Sequence, residues 1–230
     1  MTHSKRYNNN FKKVDRDKNY SVEEAAEILS GFESSKFDES VDLAINLGVD
    51  PKHADQLVRG TVALPNGVGK DVKVLVFARD DMADAAKSAG ADYVGAEDMV
   101  EKVKGGWTDV DVVIASPDMM AEVGKLGKVL GPRGLMPNPK IGTVTRDIAK
   151  AVSEVKAGRV EFRVEKNGIV HNGVGKVSFS KDAIVENIKA FVSAIVKARP
   201  QAVKGVYMKK ITVSTTMGPG LKLDKSSIIA

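Results

Sequence analysis

The 230-residue sequence contains no cysteine. That excludes disulfides, thiolate zinc sites, iron–sulfur clusters and cysteine nucleophiles, and it fits a reducing cytosol. Histidine occurs only at His3, His53 and His171, no two of them close in sequence. Histidine metal centres need short fixed spacings, so no metal site is expected. No apolar run approaches the ~20 residues of a membrane span. The stretch from Met1 to Tyr7 is polar and lacks the apolar core of a secretory signal. A cytoplasmic protein without a membrane partner is the expectation. Phosphate-binding signatures are missing too. The Gly-Lys steps ending at Lys70, Lys125, Lys128 and Lys176 lack both the earlier glycine and the following Ser or Thr of such a loop. The apolar run at 72–78 leads into Arg79, Asp80 and Asp81 rather than a glycine-rich turn. No cofactor is expected. His171 has no nucleophile motif beside it and does not read as a catalytic base.

What is present is ordinary in amount and uneven in placement. Hydrophobic residues make up 43% and charged residues 28%, as in a folded globular protein. The net charge is +5, yet residues 1–65 sum to −2, 66–158 to −1 and 159–230 to +8. The last third carries more than the whole excess, which suggests an anionic partner there.

Periodicity divides the chain. Ser21 and Glu24 form a capping-box signature ahead of Ala25, Ala26, Ile28 and Leu29, predicting a helix that ends near Gly31. Val41, Leu43, Ile45 and Leu47 alternate with Asp42, Ala44 and Asn46 as a half-buried strand does, and a second strand is expected over 57–64. The segment 65–69 breaks the pattern. Beyond it, apolar strands at 72–78, 93–94 and 110–115 alternate with helices at 81–89 and 97–104. Ser116 and Pro117 promise a capped helix through Val123, and another helix follows at 147–156. Such alternation predicts a parallel α/β sandwich. The first grammar then returns. Val160, Phe162 and Val164 alternate with charges, Lys166-Asn167-Gly168 is a hairpin-turn signal, a helix spans 180–199, and Val206, Met208, Ile211 and Val213 form a last strand. Each flank is too small to build a core alone. The expected fold is α/β, with a discontinuous α+β domain of 1–66 and 159–230. A parallel α/β domain of 67–158 is inserted in it, with a hinge near Gly67 and Gly158.

Three segments carry candidate chemistry. Between Glu122 and Asp147 there is no acid, while Lys125, Lys128, Arg133, Lys140 and Arg146 supply cations around a loop with three prolines, residues 131–140. It reads equally as a solvated connection or as a phosphate contact. Segments 34–40 and 213–220 combine hydroxyls, glycines or a cation with one apolar side chain each, Phe37 and Met217. Hydroxyls and amides suit sugar and phosphate contacts, and the apolar groups suit a ribose or base face. Taken singly, Phe37 and Met217 read first as core residues at strand ends. Lys166, Lys176, Lys209 and Lys210 each read singly as solvated cations.

Together these residues resemble a family. The run Leu130-Gly-Pro-Arg-Gly-Leu-Met-Pro-Asn-Pro-Lys140 with Gly142-Thr-Val, the strand Asp111-Val-Val-Ile-Ala-Ser-Pro117, Gly205-Val-Tyr207 and Ser214-Thr-Thr-Met-Gly218 look like the bacterial large-subunit ribosomal protein L-one family. The likeness runs from about Lys36 to Gly220. It implies that the α+β domain of both termini carries a Rossmann-like three-layer α/β insert without a nucleotide, and that the protein is a non-catalytic structural constituent of the ribosome that binds the mobile stalk of the large-subunit ribosomal RNA beside the tRNA exit site. It further implies help in releasing deacylated tRNA, repression of translation from the protein's own operon messenger RNA, and a monomer when free. By motif match the first RNA-facing surface takes Lys36, Phe37, Glu39 and Ser40, then Lys166, Asn167 and His171, then Ser214, Thr215, Thr216, Met217 and Gly218, with the hairpin lying between the other two groups. A second RNA-facing loop takes Gly131, Arg133, Gly134, Met136, Asn138 and Lys140. The competing reading is a metabolic enzyme with a substrate cleft between its domains, and the missing cofactor fingerprint argues against it.

Overall fold

The computed structural model describes residues 3–229. The chain divides into two compact units, residues 1–69 with 160–230, and residues 70–159. The first unit opens with α1 (Lys5–Phe11), α2 (Val22–Ser30), β1 (Ser40–Leu47) and β2 (Arg59–Ala63). The inserted stretch supplies β3 (Val74–Phe77), α3 (Asp80–Ser88), β4 (Tyr93–Gly95), α4 (Glu97–Lys104), β5 (Val112–Ala115), α5 (Met120–Gly124), α6 (Gly127–Leu130) and α7 (Ile148–Lys156). The chain returns through β6 (Arg159–Arg163), β7 (Ile169–Lys176), α8 (Lys181–Lys197), β8 (Met208–Thr215), β9 (Leu221–Leu223) and α9 (Ser226–Ile229). This is an α/β fold. Among the described residues no helix is long and apolar enough to cross a membrane.

In the first unit an antiparallel sheet in the order β7-β1-β8-β9 carries a helical layer on one face. Val41, Leu43, Ile45 and Leu47 of β1 point into that layer and share one core with Leu29 of α2 and with Ile184, Ile188, Phe191 and Ile195 of α8. Burying each such side chain is worth roughly 1.5–3 kcal/mol, which is why the period of two in β1 meets the period of 3.6 in α8. Both helices start on the caps their sequences encode. Ser21 accepts from the Glu24 N–H while Glu24 reaches back to Ser21, and Ser180 accepts from the Ala183 N–H.

Three expectations need correction here. The Lys166–Gly168 turn does close, with the Glu165 N–H bonded to the Ile169 carbonyl and Gly168 at φ +75°. Its two strands nevertheless enter different sheets, β6 beside β2 and β7 beside β1. The Leu47 N–H takes the Gly168 carbonyl while the Val164 N–H takes the Val58 carbonyl, so pairing diverges at the turn itself. The last strand begins at Met208, and Val206 is exposed. The register slips between Asn46 and Leu47 of β1, which puts Met208 opposite Leu47 and ends the ladder there. Finally, β2 starts only at Arg59, after a short 3-10 turn at Ala54–Gln56.

The inserted unit is a parallel sheet in the order β4-β3-β5. Leu75 and Phe77 of β3 face one core with Met99 of α4 and Val123 of α5, while Val74 and Val76 face another with Ala86 of α3 and Val152 of α7. Two buried faces explain the unbroken apolar runs and give the three-layer arrangement. Residues 143–145 add a parallel bridge along β5, through Val144 and Ala115. The helix expected from Ser116 is broken. A 3-10 turn at Pro117–Met119 precedes α5, and the Ser116 hydroxyl makes no cap bond because Ser116 is buried at the end of β5.

Candidate nucleic-acid interface

The end of β8 and the start of β1 form a tied corner. Alternation sends Ile211, Val213 and Thr215 inward and leaves Thr212 and Ser214 on the outer face. Past Thr215 the chain turns through Thr216 and Met217, closed by the Gly218 N–H on the Thr215 carbonyl at 3.2 Å. The Thr216 N–H donates to the Ser40 carbonyl at 3.0 Å, and the Thr216 hydroxyl accepts from the Ser40 N–H at 3.0 Å. The Met217 N–H donates to Glu39 Oε2 at 2.9 Å. Lys176 Nζ donates to the Ser40 hydroxyl at 2.9 Å, which brings β7 to the same corner.

On this scaffold Phe37 and Met217 are not core residues. They stand 55% and 51% exposed; the Met217 N–H is bonded to Glu39, and the Phe37 carbonyl accepts from the Ser35 hydroxyl. Beneath Phe37 lies a cleft of about 330 Å³ walled by Leu29, Phe32, Val177 and Thr215. Lys36 stands beside Phe37.

Glu39 and Thr215 correct the expectation that they face outward, since each is only 5% exposed. Burial alone would raise the Glu39 carboxyl. The Met217 N–H, the Thr215 and Ser35 hydroxyls and the Arg6 guanidinium outweigh that effect and hold it below its ordinary 4.5. Arg6 lies 3.5 Å from Glu39 Oε1. Glu39 is a buried anchor that fixes where Met217 points. Because its folded-state value is depressed, its stabilisation is complete above the unfolded carboxylate range and is lost as pH falls through the folded value. Urea midpoints of the wild type should therefore drop between about pH 5 and pH 3. Glu39→Gln should be less stable at pH 7 and flatter across that window, and an equally steep fall in both proteins would refute the assignment.

The structure does not set the hairpin between the other two groups. β1 runs from Ser40, at the Thr216 corner, to Leu47, at the Gly168 turn, so exposed Lys166 and Asn167 lie about 23 Å away at ~3.3 Å per residue. The outer face of the sheet links the two ends. On it Asp42 lies between Gly173 and Ser214, Ala44 between His171 and Thr212, and Asn46 between Ile169 and Lys210. His171 and Lys210 are exposed on this face, and the side chains between them are short. The candidate residues of this unit lie along a strip rather than at one point.

In the inserted unit, residues 131–138 form an irregular loop after α6. Gly131, Arg133 and Gly134 are exposed, and Arg133 bonds the Thr108 hydroxyl. A Cβ on Gly131 would lie 2.4 Å from the Gly127 carbonyl oxygen, so only glycine fits there. Met136 is half-buried against the core under α5 and α6, which corrects its expected outward role. Asn138 is tied to Thr143, its N–H on the Thr143 hydroxyl at 2.8 Å. The Lys140 side chain lies outside the described residues. Lys125 is paired with Glu122 at 2.7 Å, which returns an acid to the acid-free stretch.

Residues 29–219 match the model of the ribosomal protein L1p/L10e family. The chain belongs to that family. It is an RNA-binding ribosomal protein of the large subunit. Sequence reasoning about this ribosomal protein missed Arg6, which reaches the corner from α1. The signal available was an acid-free N-terminal stretch hidden inside a third of net negative charge.

Proposed function

We propose that the first unit binds the mobile stalk of large-subunit ribosomal RNA near the tRNA exit site through the Phe37–Met217 corner and the outer sheet face. Lys36, Phe37, Ser40, Ser214, Thr216, Met217 and Gly218 form the recognition end, Glu39 and Thr215 hold it from inside, and His171, Lys166 and Asn167 extend it along the strip. The same surface takes a similar element in the protein's own operon messenger RNA and represses its translation. The loop at 131–140, with Arg133 and the adjoining Lys140, makes a second RNA contact that assists release of deacylated tRNA. In this reading the protein acts as a cytoplasmic monomer, without catalysis or cofactor.

One observation carries the proposal: two large apolar side chains stand in solvent beside a hydrogen-bonded backbone corner. A ribose or base packed on Phe37 and Met217 shields the hydrogen bonds beside them from water, where each contributes about 0.5–1.5 kcal/mol net. Backbone amides and short hydroxyls reach the shallow minor groove and the 2′-hydroxyls of folded RNA. Lys166, Lys176 and Lys210 add a salt-dependent attraction that does not discriminate sequence.

Filter-binding titration with stalk RNA at several salt concentrations tests it. Specific, salt-sensitive binding is expected. Met217→Ala and Thr216→Val should each weaken it about tenfold, the loss of one interface contact worth about 1.4 kcal/mol. Lys225→Ala should change it little. Equal losses in all three variants would sink the assignment of specificity to the strand end.

A further inference from the structure

The first fourteen residues hold Lys5, Arg6, Lys12 and Lys13 and no acid. At seven residues, α1 is too short to persist on its own propensity. Tertiary bonds hold it instead. Buried Asn10 donates to the Glu33 carbonyl at 3.2 Å and accepts from the Glu33 N–H at 2.8 Å. Lys13 Nζ donates to the Gly31 carbonyl at 2.7 Å, and Arg6 pairs with Glu39. These bonds fix one side of the helix to the segment that leads into Phe37.

The adjoining side carries rings. His3, Tyr7 and Phe11 recur every fourth residue and stack in series, with centroids 4.3 Å and 6.0 Å apart and interplanar angles of 27° and 20°. The Arg16 guanidinium lies 5.4 Å over the Phe11 ring. The core cluster of this unit begins at Val14 and includes none of the three rings. Tyr7 and Phe11 are half-buried and have faces taken up within this series and by Arg16, so the open end of the ladder is exposed His3, and an unpaired base stacks on such an aromatic end whatever its identity. Positive charge on the same short segment suits the phosphates beside that base. Arg6 joins this ladder to the recognition corner through Glu39, so one RNA can span both.

We propose that the His3–Tyr7–Phe11 stack is a platform on whose open His3 end an unpaired base of the RNA held at the Phe37–Met217 corner stacks, with Lys5 and Lys12 on the adjoining phosphates. This rests on the RNA-binding reading of the first unit. The test uses stalk RNA carrying 2-aminopurine at its unpaired positions. Wild-type protein should quench that fluorescence on binding. The double variant Tyr7→Leu/Phe11→Leu keeps apolar bulk and the Asn10 bonds but removes the two rings that back His3 in the stack. It should bind about tenfold more weakly and lose the quench, while its salt slope stays that of the wild type. Tyr7→Trp should retain both affinity and quench. Lys5→Ala/Lys12→Ala should instead lower the slope by about 0.7–0.9 for each phosphate left without its cation. A double leucine variant that binds and quenches like wild type overturns the platform. If wild-type protein itself binds stalk RNA without specificity or salt dependence, the RNA-binding reading fails and this inference falls with it. If Met217→Ala weakens binding and the leucine variant does not, only the platform is refuted.

Discussion

Gly218→Ala is expected to weaken binding to stalk RNA about a hundredfold, more than removal of either exposed side chain it supports. A Cβ at this position would meet Thr215 Oγ1 at 2.3 Å and the Phe32 ring at 3.2 Å. Neither neighbour can retreat easily. Thr215 is buried with its hydroxyl on the Glu39 carboxylate, and Phe32 packs against the core. The turn must move instead. That motion carries Met217 away from Glu39 and Thr216 away from Ser40, so several parts of the proposed interface fail together. A hundredfold loss corresponds to about 2.7 kcal/mol, within the range of an interface hot spot. Overpacking of this kind costs folding stability roughly 1–3 kcal/mol as well, so binding is to be measured well below the unfolding transition. Gly124→Ala is the control: it lies in α5, with nothing within 4 Å of the added carbon, and should bind as wild type does. Near-wild-type binding by Gly218→Ala would show that the corner tolerates displacement and does not carry recognition.

The sequence was most legible where one period met one environment. β1 alternates because one face is buried, and β3 is wholly apolar because both faces are; each follows from a pattern eight or fewer residues long. The capping box at Ser21 and the N-cap at Ser180 were equally plain, since a short polar side chain there has one favoured use. Partner choice was not legible. The turn at Gly168 is encoded locally, but whether β6 or β7 lies beside β1 depends on which backbone groups Leu47 and Val164 find, and those are distant in sequence. Nor was α1 readable, because its seven residues hold their shape through Glu33 and Gly31 rather than through their own propensity. At the site, the motif located Phe37, Met217 and Glu39 together and could not distinguish their directions. Composition treats a carboxylate as a surface group, whereas Glu39 is buried among the donors that hold it charged.

Asn187→Leu should destabilise the first unit by about 3 kcal/mol, because this one amide serves three backbone groups at once. Asn187 is fully buried on α8, among Ile184, Ile188 and Phe191. Its Nδ2 donates to the Gly67 carbonyl at 2.9 Å and to the Val174 carbonyl at 2.8 Å, and its Oδ1 accepts from the Asn66 N–H at 3.1 Å. The helix, the strand β7 and the segment at 66–67 are thereby closed on one side chain. Leucine fills similar space yet leaves the buried Val174 carbonyl without this partner, at a cost of roughly 1–3 kcal/mol, and frees the part-buried Asn66 N–H and Gly67 carbonyl beside it. Asn187→Asp should be no milder, since a carboxylate would face the two carbonyls it must replace a donor for. The chain's single tryptophan, Trp107, belongs to the inserted unit and packs edge-on to Tyr93. Its fluorescence follows that unit, while far-UV ellipticity also follows α8 and β7. The expected result in a urea titration is an ellipticity transition displaced to lower denaturant, with the tryptophan transition unmoved. Unchanged ellipticity would mean that water replaces all three bonds without loss, and that the buried amide is not what holds this junction closed.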